Sequence, residues 1–151
     1  MNENFYHYTE CGLRNISLMN GYEIFETNQG TTVSINDIDG LHKAIGLRLV
    51  FSKKDLSGEE IRFLRHELLM SQNGLASLLG VSEQTVRRWE NDKICIPKSS
   101  EFLLRLLYRE KTTNLHGKIA TLLKDITNLE DQINEKEMLF EDTMKGWKVS
   151  A

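Results

Sequence analysis

A chain of 151 residues with 40% apolar and 27% charged side chains has the composition of a globular protein of one ordinary domain or two small ones. A formal net charge of −3 argues against a general polyanion binder, and no apolar run is long enough for a membrane span. The start of the chain lacks a basic-then-apolar secretion signal, and the widely separated Cys11 and Cys95 read as free thiols in a cytoplasmic protein.

Taken in order, residues 1–12 are polar and aromatic, and Tyr6, Tyr8 and Tyr22 are expected in the core of an N-terminal unit. Leu13 to Leu18 reads as a short strand, followed by the turn signal Asn20-Gly21. Tyr22–Thr27 and Thr31–Ile35 form a hairpin pattern over Asn28-Gln29-Gly30. Asp37 to Val50 places Leu41, Ala44, Ile45 and Leu49 at helical spacing. Residues 1–54 are thus expected to be a small β-plus-helix unit, at the edge of what can fold alone.

Residues 55–111 carry the most specific pattern. Ser57-Gly58-Glu59-Glu60 is a capping box, starting a helix that turns Ile61, Leu64 and Leu68 inward. Ser71 caps a second helix with Leu75, Ala76, Leu78 and Leu79 on its apolar face, and Gly80 ends it in the left-handed cap conformation. Gly74 inside that helix costs about 1 kcal/mol relative to Ala. Ser82 caps a third helix on which Val86 and Trp89 share the inner face. Its outer sides carry Glu83, Gln84, Thr85, Arg87 and Arg88. Glu83 reads equally as a base contact and as a charge that suits the helix start. Gln pairs bidentately with adenine and Arg with guanine, and Gln84 and Arg88 stand one turn apart, able to read neighbouring bases. Arg87, Arg88, Lys93 and Lys98 gather positive charge around this helix and its exit. Pro97 marks a boundary; Ser99 or Ser100 caps another helix whose Leu103, Leu106 and Leu107 close the core. Five helices are expected, the last short or continuous with the C-terminal segment.

The spacing of Gln72, Ala76, Gly80, Val86 and Trp89 resembles the helix-turn-helix family of the phage repressors and Cro, over residues 57–110. That resemblance implies that Gln72 touches backbone phosphate or supports a neighbour, and that Glu83, Gln84 and Arg88 meet bases. One departure stands at Asp92, where the family usually has Gly; Asp tolerates the unusual backbone region the exit turn needs. The β-unit with its helix and this motif also resembles the MqsA/YgiT group of antitoxins and regulators. That group's zinc ribbon needs two pairs of close cysteines, which are absent here, so a metal-free version is implied. The group's base-contacting positions fall on Gln84 and Arg88.

Residues 112–145 hold Leu115, Ile119, Leu122, Ile126, Leu129 and Ile133 in heptad spacing, broken at Lys136 and rejoined at Phe140. So narrow a stripe buries itself against another helix, either its own domain or a second copy. Homodimerisation through a coiled coil suits a reader of palindromic DNA. Residues 146–151 read as a tail in which Trp147 can pack.

The expected fold is therefore mainly α: a five-helix repressor-like domain, a small N-terminal β-hairpin/helix unit and a C-terminal heptad helix. The expected function is a sequence-specific DNA-binding transcriptional regulator, a repressor of an operator in double-stranded DNA. The second resemblance adds a toxin protein as partner and repression of the protein's own operon. The rival is an interaction module whose helix-turn-helix frame no longer binds DNA. No nucleophile–base set, phosphate loop or metal cluster stands out, so no enzyme, cofactor or metal is expected; His7, His42, His66 and His116 are scattered.

Overall fold

The computed structural model describes residues 5–52, 55–113, 118–127 and 140–149. The fold is mainly α. Strands β1 (Tyr6–His7) and β2 (Ser17–Leu18) pair antiparallel, as do β3 (Tyr22–Thr27) and β4 (Gly30–Ile35). Helix α1 (Ile38–Ser52) comes next, then α2 (Gly58–Glu67), α3 (Gln72–Leu79), α4 (Glu83–Glu90), α5 (Lys98–Thr112) and α6 (Lys118–Thr127). A third hairpin, β5 (Phe140–Thr143) and β6 (Gly146–Val149), comes last.

One core joins the N-terminal segment, α1 and helices α2 to α5. Tyr8, Leu13 and Leu18 from the N-terminal segment and Ile45, Leu49 and Val50 of α1 belong to the same buried cluster as Ile61, Leu64, Leu75, Val86, Trp89 and Leu104. Tyr8 is buried as expected, and Tyr6 and Tyr22 are half-buried with their rings 5.2 Å apart. Ala44, expected inward, is exposed. Helix α1 approaches α5 closely because Gly46 has no side chain: a Cβ there would lie 2.0 Å from the Tyr108 hydroxyl.

Polar residues also join the elements. The Tyr8 hydroxyl meets His42 Nε2 at 2.7 Å, and His42 Nδ1 meets Glu67 at 2.9 Å, linking the N-terminal segment, α1 and α2. The buried Glu101 carboxylate accepts the Leu56 amide and pairs with Arg105 at 2.7 Å. The buried Glu110 carboxylate accepts the amides of Ile119 and Ala120, fixing the start of α6 against α5.

Three expectations are corrected. Residues 55–111 hold four helices, α2 to α5, and helices from both sides of that range pack on them, α1 against α2 and α5 and α6 against α3 and α5. Helix α5 begins after Pro97, with no side-chain cap from Ser99 or Ser100. It turns Leu104, Leu107 and Tyr108 inward, while Leu106 is exposed and Leu103 half-buried. Ser100 and Glu101 lie on that same buried stripe, and their polarity hides it from a reading by hydrophobicity.

The third correction concerns the C-terminus. A helix to residue 145 and a tail beyond it give way to the β5–β6 hairpin. The reason is the turn Thr143-Met144-Lys145-Gly146, with Gly146 at φ +99°. The Thr143 hydroxyl accepts the Lys145 amide at 3.2 Å and donates to the Gly146 carbonyl at 2.7 Å. Trp147 is exposed rather than packed. Of the heptad stripe, Ile119 is half-buried, whereas Leu122 and Ile126 are exposed. Leu115, Leu129, Ile133 and Lys136 lie outside the described residues.

Candidate nucleic-acid interface

Helices α3 and α4 are fixed by their ends. Ser71 accepts the Gly74 amide at 2.9 Å, and Ser82 accepts the Thr85 amide at 3.2 Å. A Cβ on Gly74 would approach the Ser71 hydroxyl to 3.2 Å, so glycine gives room to the cap. Gly80 closes α3 at φ +70°, and the Val81 amide bonds back to the Ala76 carbonyl. This turn sends α4 across α3 with Val86 and Trp89 fully buried.

The opposite side of α4 faces outward. Glu83, Gln84, Arg87 and Arg88 are exposed, and Thr85 is half-buried with its hydroxyl 2.8 Å from that of Ser82. Arg87 pairs with Glu83 at 3.4 Å, four residues back, so Glu83 offsets a cation on its own helix. Gln84 and Arg88, also four apart, form a second exposed pair along the helix. Lys93 is exposed just beyond, its amide bonded to the Arg88 carbonyl at 2.9 Å.

Two expected members of this surface are engaged elsewhere. Gln72, half-buried at the start of α3, donates to Glu90 at 3.3 Å. Lys98 lines the same pocket as Lys93, with its charge paired to Asp55 and Glu101.

Glu90 is the residue that sequence reasoning misses. Its carboxylate is fully buried, and Arg65 meets it through Nε at 3.0 and 3.2 Å and through a terminal nitrogen at 2.8 Å. Arg65 also donates to the Met70 carbonyl at 2.9 Å, while Arg62 adds a 3.4 Å ion pair to Glu90. This cluster ties α2, the α2–α3 turn, α3 and the end of α4 together. The available signal is that Glu90 comes four residues after Val86 and so stands on the inner face of α4.

Asp92 shows why its turn works without glycine. It adopts φ +55°, and its Oδ1 accepts the Gly58 amide at 2.8 Å. The bond closes the exit of α4 onto the start of α2. Gly58 permits the approach, because a Cβ would come within 2.4 Å of the Glu90 carbonyl oxygen.

Residues 61–99 match the family model described as Helix-turn-helix. The chain carries a helix-turn-helix domain. Its match runs from α2 through α4 to the start of α5, so the helix-turn-helix and the exposed face of α4 coincide. It is of the phage repressor and Cro kind, a family of DNA-binding regulatory domains. No curated protein and no solved structure matches the chain. The helix-turn-helix leaves residues 1–60 and 100–151 outside the match. Among the described residues no group of three or more His, Cys, Asp or Glu is placed to hold a metal ion, and no helix is long and apolar enough to cross a membrane.

Proposed function

We propose that the protein is a sequence-specific regulator of transcription, a repressor that inserts α4 into the major groove of double-stranded DNA. The observation that carries this reading is the two-sided character of α4. Val86, Trp89 and Glu90 lock one side into the core, and Gln84 and Arg88 stand exposed one turn apart on the other. In this reading Gln84 and Arg88 meet base edges. Arg87, Thr85 and Lys93 meet phosphates, and Glu83 holds Arg87 in place. Gln72 acts through Glu90, setting the tilt of α4. A scaffold has no need of this outward set, which favours the regulator over an interaction module.

The active unit in this reading is a homodimer. Leu122 and Ile126 support it, because the chain's own domain leaves both uncovered. Two copies of α4 then meet a palindrome at half-sites one helical turn apart.

The test is fluorescence anisotropy with the DNA just upstream of the protein's own gene, at two salt concentrations and with competitor DNA. Binding that survives competitor is expected, and it weakens with salt as the phosphate contacts are lost. Binding that competitor removes at both salts would refute sequence-specific recognition.

A further inference from the structure

The two longer hairpins are built alike. β3–β4 turns through Thr27-Asn28-Gln29-Gly30, and β5–β6 turns through Thr143-Met144-Lys145-Gly146. In each, the Thr hydroxyl donates to the Gly carbonyl, at 2.8 and 2.7 Å. In each it also accepts the amide two residues on, at 3.3 and 3.2 Å. Both glycines have positive φ, +121° and +99°.

Both are also incomplete as sheets. Among the described residues each has two strands, and each leaves large apolar groups in water: Ile24 and Phe25 on one, Phe140 and Trp147 on the other. A two-stranded hairpin is marginal in water, and its open edges are templates for a further strand.

Charge selects which edges meet. Strand β3 carries Glu23 and Glu26, and β4 carries no charge. The C-terminal hairpin is polarised: Glu141 and Asp142 lie on β5, while Lys145 in the turn and Lys148 on β6 lie on the other side. Strand β5 therefore repels β3, and β6 attracts it. The two edges share a layout. Glu23-Ile24-Phe25-Glu26 and Lys145-Gly146-Trp147-Lys148 each place an aromatic ring between charges three residues apart.

We propose that β6 of each copy adds to β3 of the other, making two four-stranded sheets across the dimer. A second copy is the occupant because one chain leaves both hairpins exposed. Two-fold pairing then uses the β3 edge and the β6 edge of each copy once. The junction is distinct from the α6 stripe and independent of DNA binding.

The test is analytical ultracentrifugation of the full chain without DNA, using two charge-reversal variants. Glu23→Lys/Glu26→Lys makes both edges basic, and Lys145→Glu/Lys148→Glu makes both acidic. Each variant alone is expected to dimerise about tenfold more weakly than the parent, or worse, because like charges are juxtaposed. An equimolar mixture is expected to restore parental dimerisation, since every junction then joins opposite charges. Recovery on mixing also shows that both variants are folded. A monomeric parent would overturn the proposal, as would a variant that dimerises alone like the parent, or a mixture that fails to recover. A dimer held by α6 alone gives the second of these results, whether or not the hairpins serve a different protein; a monomeric parent would overturn the α6 dimer as well.

Discussion

Arg88 and Glu90 stand two residues apart on α4 and serve opposite ends. Arg88 is exposed on the face of α4 proposed to meet DNA, and Arg88→Ala is expected to weaken specific binding by about 1–3 kcal/mol and relax preference at one base pair. Binding titrations against single-base operator variants check this; an unchanged preference profile would show that Arg88 reads nothing. Glu90 is buried against Arg65, so Glu90→Ala leaves a guanidinium without its partner in the core. The expected loss is about 3–5 kcal/mol of folding stability, measured by urea unfolding. An unfolding midpoint within error of the parent's would show that Glu90 does not hold these helices together. The capping serines and Gly80 are legible in the sequence because each acts on its own few residues. The partners of Glu90 are not, since Arg65 lies 25 positions away and nothing local marks it.

Among the elements, helix-turn-helix geometry depends on how closely α2 meets the end of α4. Gly58→Ala drives a methyl group into the Glu90 carbonyl, a backbone atom that cannot swing aside. A cost of about 1–3 kcal/mol in thermal or urea unfolding is expected. An unchanged midpoint would mean that the two helices separate freely. Helix α6 has a different dependence. Ile126→Asp places a charge on its uncovered stripe and is expected to weaken the dimer without lowering the stability of the monomer. Sedimentation at the parental mass would exclude α6 from the interface. The sequence marks the apolar stripe of α6 well, from Ile119 through Leu122 to Ile126. It misleads on α5, where Glu101 is inside and Leu106 outside, and on residues 140–149, where the turn chemistry of Thr143 and Gly146 overrides the heptad pattern.

Across the whole chain, the shared core makes the N-terminal segment part of the platform that holds the helix-turn-helix. The seam between α1 and α5 carries a pH signature. Burial pushes the Tyr108 phenol up to about 12, so the folded state holds its proton more firmly than an unfolded chain with a value near 10. Its contribution to stability is complete below pH 10 and is lost as the pH rises from 10 through 12. Tyr108→Phe is expected to flatten this part of the stability–pH curve; a curve as steep as the parent's would assign the loss to other groups.

Whether the exposed face of α4 reads DNA sequence is tested most directly by selection from a pool of random duplexes. The parent protein is predicted to enrich a palindromic site, and Arg88→Ala is predicted to lose preference at one symmetric pair of positions in it. A parent that enriches nothing, or an Arg88→Ala variant that enriches the same site to the same degree, would contradict sequence reading by α4.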